Sequence, residues 1–202
     1  MLDKYLINCC APTLASLKSG SLFNCSFSPD RDSVDKVVAE WNDALEGTGI
    51  RIRLLRKSEM SALIYVFRSS ALQEKLSDPD IKSFLNSLGY DCSLRTTNCD
   101  DEGTRIIYEC LKQLEHRISN ASKSKDAKFP HEIGVFLDYP LHDVKEFMRN
   151  EGCGSKITGT WKVYGDEKAA KLRFEKFRKC TEIYNKLWRT GSKSILQLTV
   201  AG

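Results

Sequence analysis

The sequence predicts an α+β fold: an α/β sandwich with a mainly antiparallel sheet, ordered as a split β-α-β-β-α-β core with a helical insertion. Three observations predict it. Ala62-Leu63-Ile64-Tyr65-Val66-Phe67 is apolar on both faces, which suits a central strand. Ile50-Arg51-Ile52-Arg53-Leu54 alternates strictly, which suits an edge strand with one wet face. Helical periodicity then fills 33–46, 102–118 and a long basic segment after Asp166.

Taken in order, residues 2–9 read as one or two helical turns. Pro12 reads as the first position of a short helix over 11–18, where its missing N–H costs nothing. Residues 22–27 read as a strand closed by Pro29. Asp30 and Asp32 offer caps for the 33–46 helix, which Gly47 and Gly49 end. After the two strands come helical pieces near 70–76 and 79–88, the second opened by Pro79, and then a polar loop over 91–100. The 102–118 helix carries Ile106, Ile107, Cys110, Leu111 and Leu114 on one face, and 119–128 reads as a solvated linker. Pro130 signals another helix start. Residues 157–164 are expected to add the last strand of the sheet, and Gly165-Asp166 to cap a helix of up to 25 residues that Gly191 stops. Residues 195–200 suit a short strand. The expected organisation is one domain over 1–202, with a core of 20–90 and 157–200 and an insertion and linker over 91–156.

Composition narrows the function classes. The 202 residues are 41% apolar and 29% charged, and no run of 18 apolar residues is present. Neither a membrane span nor a signal peptide is signalled, so a cytoplasmic protein is expected, monomeric or a small homo-oligomer. Eight cysteines without any C-x-x-C spacing read as free thiols rather than a disulfide framework or a zinc site. The segment 166–189 holds eight basic and four acidic residues, the whole of the net +4. Its aromatics occupy the opposite face and acids interrupt the basic one. That pattern argues for a solvated helix face and against a nucleic-acid interface.

Three short stretches carry the candidate chemistry. Cys9 and Cys10, placed before Pro12, would sit at a positive helix end that favours a thiolate. His131 and Glu132 follow Pro130 in the same way, and a set of Cys10 or Cys9 with His131 and Glu132 would suit nucleophilic or thiol chemistry. The zinc-protease pattern is excluded, because Val stands at 135 where the second His would fall. Trp161, Lys162 and Tyr164 alternate along the 157–164 strand; a Lys/Tyr face beside a helix start, with Lys18, would hold an anionic ligand. No metal ligand set is signalled, and the cofactor is open.

Some of these residues also carry a resemblance. Cys10-Ala-Pro-Thr-Leu14 with Lys18, Phe129-Pro-His-Glu-Ile-Gly134, Tyr139-Pro140, Asp143-Val144, Phe147 and Trp161-Lys-Val-Tyr-Gly-Asp166 stand together. So do Phe174, Lys179-Cys180-Thr181, Tyr184 and Leu198-Thr199-Val200. With these blocks the chain resembles a bacterial family, the domain of unknown function 3793 group, common in clostridial anaerobes. The resemblance implies a cytoplasmic protein of an anaerobic bacterium and brings no reaction with it.

The reading favoured from sequence is a small-ligand or cofactor-binding protein, with an enzyme left open. Its alternatives are a thiol- or metal-handling protein and an interaction module without a catalytic site. The sharpest expectation is that the segments around Cys10, His131 and Trp161 converge on one site.

Overall fold

The computed structural model describes residues 2–27, 33–91, 102–123 and 128–200. Along the chain run α1 (Leu2–Leu14), β1 (Gly20–Ser26), α2 (Val34–Ala44), β2 (Ile50–Lys57) and β3 (Ser61–Arg68). Next come α3 (Ser69–Ser77), α4 (Pro79–Ser87), α5 (Glu102–Lys123), α6 (Ile133–Phe136) and α7 (Leu141–Arg149). The last are β4 (Ile157–Thr158), β5 (Lys162–Val163), α8 (Glu167–Arg189) and α9 (Ile195–Leu198).

Strands β1, β3 and β2 form an antiparallel sheet in that spatial order, so the wholly apolar segment is central and the alternating one lies at an edge. Leu63, Tyr65 and Phe67 of β3 join one core, and Ala62, Ile64 and Val66 the other. Each face is covered by helices. Residues of α3, α4, α5, α6 and α7 complete the first core. Residues of α1, α2 and α9 complete the second, with Tyr184, Leu187 and Trp188 from the end of α8. A bulge between Leu54 and Arg56 lets β2 serve both, since Ile50 and Ile52 enter one core and Leu55 the other. Gly20 is required where β1 begins. A Cβ there would collide with the Tyr65 hydroxyl, which donates to the Phe136 carbonyl at 2.6 Å.

Arg68 is 2% exposed and has no carboxylate within 4 Å among the described residues. Its guanidinium donates to the carbonyls of Leu14 (3.1 Å), Thr48 (3.3 Å) and Val200 (2.8 Å). It thus fastens the end of α1, the turn before β2 and the segment after α9.

Four local expectations are corrected. Helix α1 runs unbroken through Pro12 instead of starting there. Leu6, Ile7, Cys10, Ala11 and Leu14 are all fully buried along its face. Burial at about 1.5–3 kcal/mol for each large side chain outweighs the roughly 3 kcal/mol that an interior proline costs. Residues 119–123 are helical rather than linker, because Ile118 is buried and holds the last turn of α5 against the core. Residues 157–164 do not join the sheet; β4 and β5 pair only with each other, as a two-residue hairpin packed on α8. Residues 195–198 form a helical turn closed by a Ser194/Gln197 capping box, where a strand was expected. Pro29, the caps at Asp30 and Asp32, most of the 91–100 loop with Cys92 and Cys99, and residues 124–127 lie outside the described residues.

Candidate functional site

Helix α8 begins as its sequence requires. The Asp166 carboxylate accepts from the N–H groups of Lys168 (2.8 Å) and Ala169 (3.0 Å), and 23 helical residues follow. Its first half packs against the β4–β5 hairpin through Trp161, Val163, Ala170 and Phe177. Asp143 of α7 fixes that hairpin. Its buried carboxylate accepts from the Trp161 indole N–H (2.7 Å) and the backbone N–H groups of Tyr164 (2.9 Å) and Gly165 (2.8 Å).

An aromatic wall results. Tyr139 stacks on Trp161 with ring centroids 5.1 Å apart, and Phe174 meets Trp161 edge-on at 4.5 Å. The Arg173 guanidinium lies 5.1 Å from the Trp161 ring and 5.6 Å from that of Phe177. The same guanidinium holds the Asp138 carboxylate at 2.8 Å, and Lys75 holds its other oxygen at 3.0 Å. Asp138 adopts a left-handed backbone, φ 61°, in the turn that leads to Tyr139.

Two cavities flank the wall. The larger, about 880 Å³, runs between α1 and α8 and is lined by Cys9, Pro12, Lys18 and Ser21 opposite a stripe of α8 that includes Phe174, Phe177 and Asn185. Arg178, Lys186 and Arg189 line it with Glu182, which pairs with Arg178 at 2.6 Å. The smaller, about 290 Å³, is lined by His131, Gly134, Tyr139, Phe147, Trp161 and Lys162 among others. Thr160 borders both.

Lys18 is the unusual group. It is 8% exposed, and among the described residues no carboxylate stands within 4 Å of its ammonium. Its amine sits 5.3 Å from the Tyr139 ring centroid and 6.0 Å from that of Phe177. Burial lowers its pKa from 10.5 to about 8; Arg173 pushes the same way, while Cys10 and Asp138 oppose. Asp138 is already engaged by two other cations, so it does not neutralise Lys18.

The expected site residues divide. His131, Trp161 and Lys162 meet at the smaller cavity, so the 129–134 and 161–166 blocks do come together. His131 is exposed there, between Phe129 (5.9 Å) and Phe147 (4.8 Å), and desolvation lowers its pKa. The Lys162 ammonium donates to the Gly152 carbonyl at 2.8 Å. Lys18 lines the larger cavity, beyond Tyr139. Tyr164 does not share the face of Lys162; it is buried beside a third cavity with His142, Glu146 and Cys153. It lies one residue beyond β5, which is two residues long and too short to sustain the alternation.

Cys10 and Glu132 line neither cavity. Cys10 lies inside α1 instead of at a helix start, and complete burial pushes its thiol well above the ordinary range, opposite to the expected thiolate. Glu132 is 1% exposed and accepts from Arg117 at 2.5 Å and from the Tyr90 hydroxyl at 3.2 Å. Residues 130–132 form a turn before the four-residue α6, so no long helix places His131 and Glu132 at its positive end. Exposed Cys9, by contrast, reaches the larger cavity.

Residues 6–199 match the family described as protein of unknown function, DUF3793. The chain belongs to that family. No curated protein and no solved structure matches it. Among the described residues no helix is long and apolar enough to cross a membrane, and no group of three His, Cys, Asp or Glu could hold a metal ion. For this member of the family, Tyr139, Arg178, Lys186 and Arg189 are cavity residues that sequence reasoning missed, and so is the Asp138–Arg173 pair beside the Trp161 ring. On α8 the lining positions Phe174, Arg178, Thr181, Asn185 and Arg189 recur at helical spacing, so one face of the helix carries them.

Proposed function

We propose that this protein binds a small anionic organic molecule in the cleft between α1 and α8. One observation carries the reading: Lys18 is buried on the wall of an 880 Å³ cleft and lacks a carboxylate partner among the described residues. A buried cation without a counter-charge is costly unless something anionic completes it. Arg178, Lys186 and Arg189 raise the positive potential along the same cleft, against one glutamate, and Phe174 and Phe177 offer apolar ring surface. Such a mixture suits a ligand with an acidic group and a flat or apolar body.

Thermal unfolding against a panel of phosphate monoesters and carboxylates, each beside a neutral analogue, tests this. Anions are expected to stabilise the wild type by several degrees near saturation, about 2.7 kcal/mol at a hundredfold excess over Kd. The shift should vanish in Lys18→Met and shrink in Arg189→Ala. Equal shifts in all three proteins, or none with any anion, would remove the reading.

A further inference from the structure

The deeper question is what an uncompensated amine at that position can do, and its answer rests on the cleft just proposed. Most buried lysines are tied to a carboxylate, which keeps them charged and inert. Lys18 has rings on two sides, Tyr139 and Phe177, and its nearest charged neighbours include Arg173, a permanent cation that disfavours a second positive charge. Asp138, an acid acting on it from that side, is bound by Lys75 and Arg173, and Glu74 and Asp78 line the pocket there but stand beyond 4 Å of the amine. Desolvation beside another cation is the arrangement that turns a lysine into a nucleophile.

We propose that Lys18 is a carbonyl-binding amine: it forms an imine with an aldehyde or ketone that also carries an anionic group, seated in the cleft between α1 and α8. The neutral ε-amine adds to the carbonyl carbon, and the C=O π pair moves to oxygen. One nitrogen proton passes to that oxygen to give the carbinolamine. The second nitrogen proton leaves with the hydroxyl as water when the C=N bond forms. One amine and one carbonyl thus yield one imine and one water, without oxidant or reductant. The anionic group of the ligand is placed against Arg178, Lys186 or Arg189, and its body against Phe174 and Phe177.

Lowering to about 8 supports this chemistry: near pH 7 roughly a tenth of Lys18 is neutral, against about one in three thousand for an ordinary exposed lysine.

Pyridoxal 5′-phosphate is a suitable probe, because it joins a phosphate, an aromatic ring and an aldehyde. One equivalent is added to the intact protein near neutral pH, the mixture is reduced with borohydride, and the labelled lysine is located by peptide mass spectrometry. Pyridoxine 5′-phosphate, the matching alcohol, reports binding without imine formation. The expected result is label on Lys18 at about tenfold or more over any other lysine. The Lys18→Arg variant should lose that label while still retaining the alcohol. Label spread over exposed residues such as Lys176 and Lys179, with the wild-type Lys18 peptide unmodified, overturns the imine. If the alcohol is retained in that case, the anion-binding cleft survives and only the covalent step is wrong. The wild-type map needs no variant to fold.

Discussion

The Lys18 amine lies 5.3 Å from the centroid of the Tyr139 ring, so a residue just after α1 meets one just after α6 across the aromatic wall. Tyr139 in turn stacks on Trp161 and donates to the Thr160 carbonyl at 3.1 Å. Burial pushes the Tyr139 hydroxyl up to about 12, so the ring stays neutral beside the amine. Tyr139 thus joins Lys18 of the larger cavity to the lining of the smaller one, with Thr160 bordering both.

Replacing Lys18 by Met should stabilise the protein near pH 7. The folded pKa, about 8, is below the unfolded 10.5, so over that window the unfolded chain holds a proton that the fold has released. Wild-type stability therefore rises relative to Lys18→Met as pH climbs from about 8 to 10.5, and the full penalty applies below about 8. The gain in the variant is up to about 3 kcal/mol at pH 7 and disappears by the upper end of the window. Denaturant titrations of both proteins at several pH values check this; a difference that does not depend on pH refutes it. Cys10, Asp138 and Arg173 face position 18 in both proteins, so the difference reads the Lys18 charge together with its coupling to them.

Alkylation should separate the thiols. Of the six described cysteines, Cys9 and Cys153 are exposed while Cys10, Cys25, Cys110 and Cys180 are buried. Iodoacetamide is expected to modify the exposed pair first, Cys9 more slowly than its exposure suggests because desolvation raises its pKa. An anion held in the cleft should slow Cys9 and leave Cys153 unchanged. Equal protection of both would place the anion elsewhere.

Asp143→Ala should cost about 3 kcal/mol or more, since it strands the Trp161 indole and two backbone N–H groups. Asp143→Asn keeps an oxygen for the backbone donors but turns an amide toward the indole or away from it, so its loss should be smaller. Denaturation followed by tryptophan fluorescence gives both values, and a loss under about 1 kcal/mol for the alanine variant contradicts the lock.

Glu132→Ala should lower stability by about 1–3 kcal/mol, because the Tyr90 hydroxyl loses a buried acceptor and Arg117 loses its carboxylate. Anion binding in the α1–α8 cleft should not change. A variant of normal stability that no longer binds would return Glu132 to the site.

The sheet was legible because its signals are local: strict alternation in 50–54 and an unbroken apolar run in 62–67 leave little choice of position. Helix α8 was legible for the same reason, through Asp166 and its aromatic spacing. Pro12 and the 157–164 segment misled, because a nearest-neighbour signal met a tertiary one. The face of α1 had enough apolar area to carry a proline, and the hairpin found its partner in α8 and Asp143 instead of the sheet. The site was harder still. Lys18 was singled out, but its isolation depends on Asp138, Tyr139 and Arg173, which lie 120 to 155 positions away and leave no trace in the spacing around it. Cys10 looked reactive only while Pro12 was taken as a helix start.

Arg68 finally has a consequence for the order in which the chain can fold. Its bond to the Val200 carbonyl spans 132 positions, whereas those to Thr48 and Leu14 span 20 and 54. During synthesis the three strands are finished long before residue 200 exists, so the guanidinium at the end of β3 waits with one acceptor missing. Long-range closure of this kind comes late in folding and adds stability to a structure already largely formed. The central strand is thus made early, and its last hydrogen bond arrives only with residue 200.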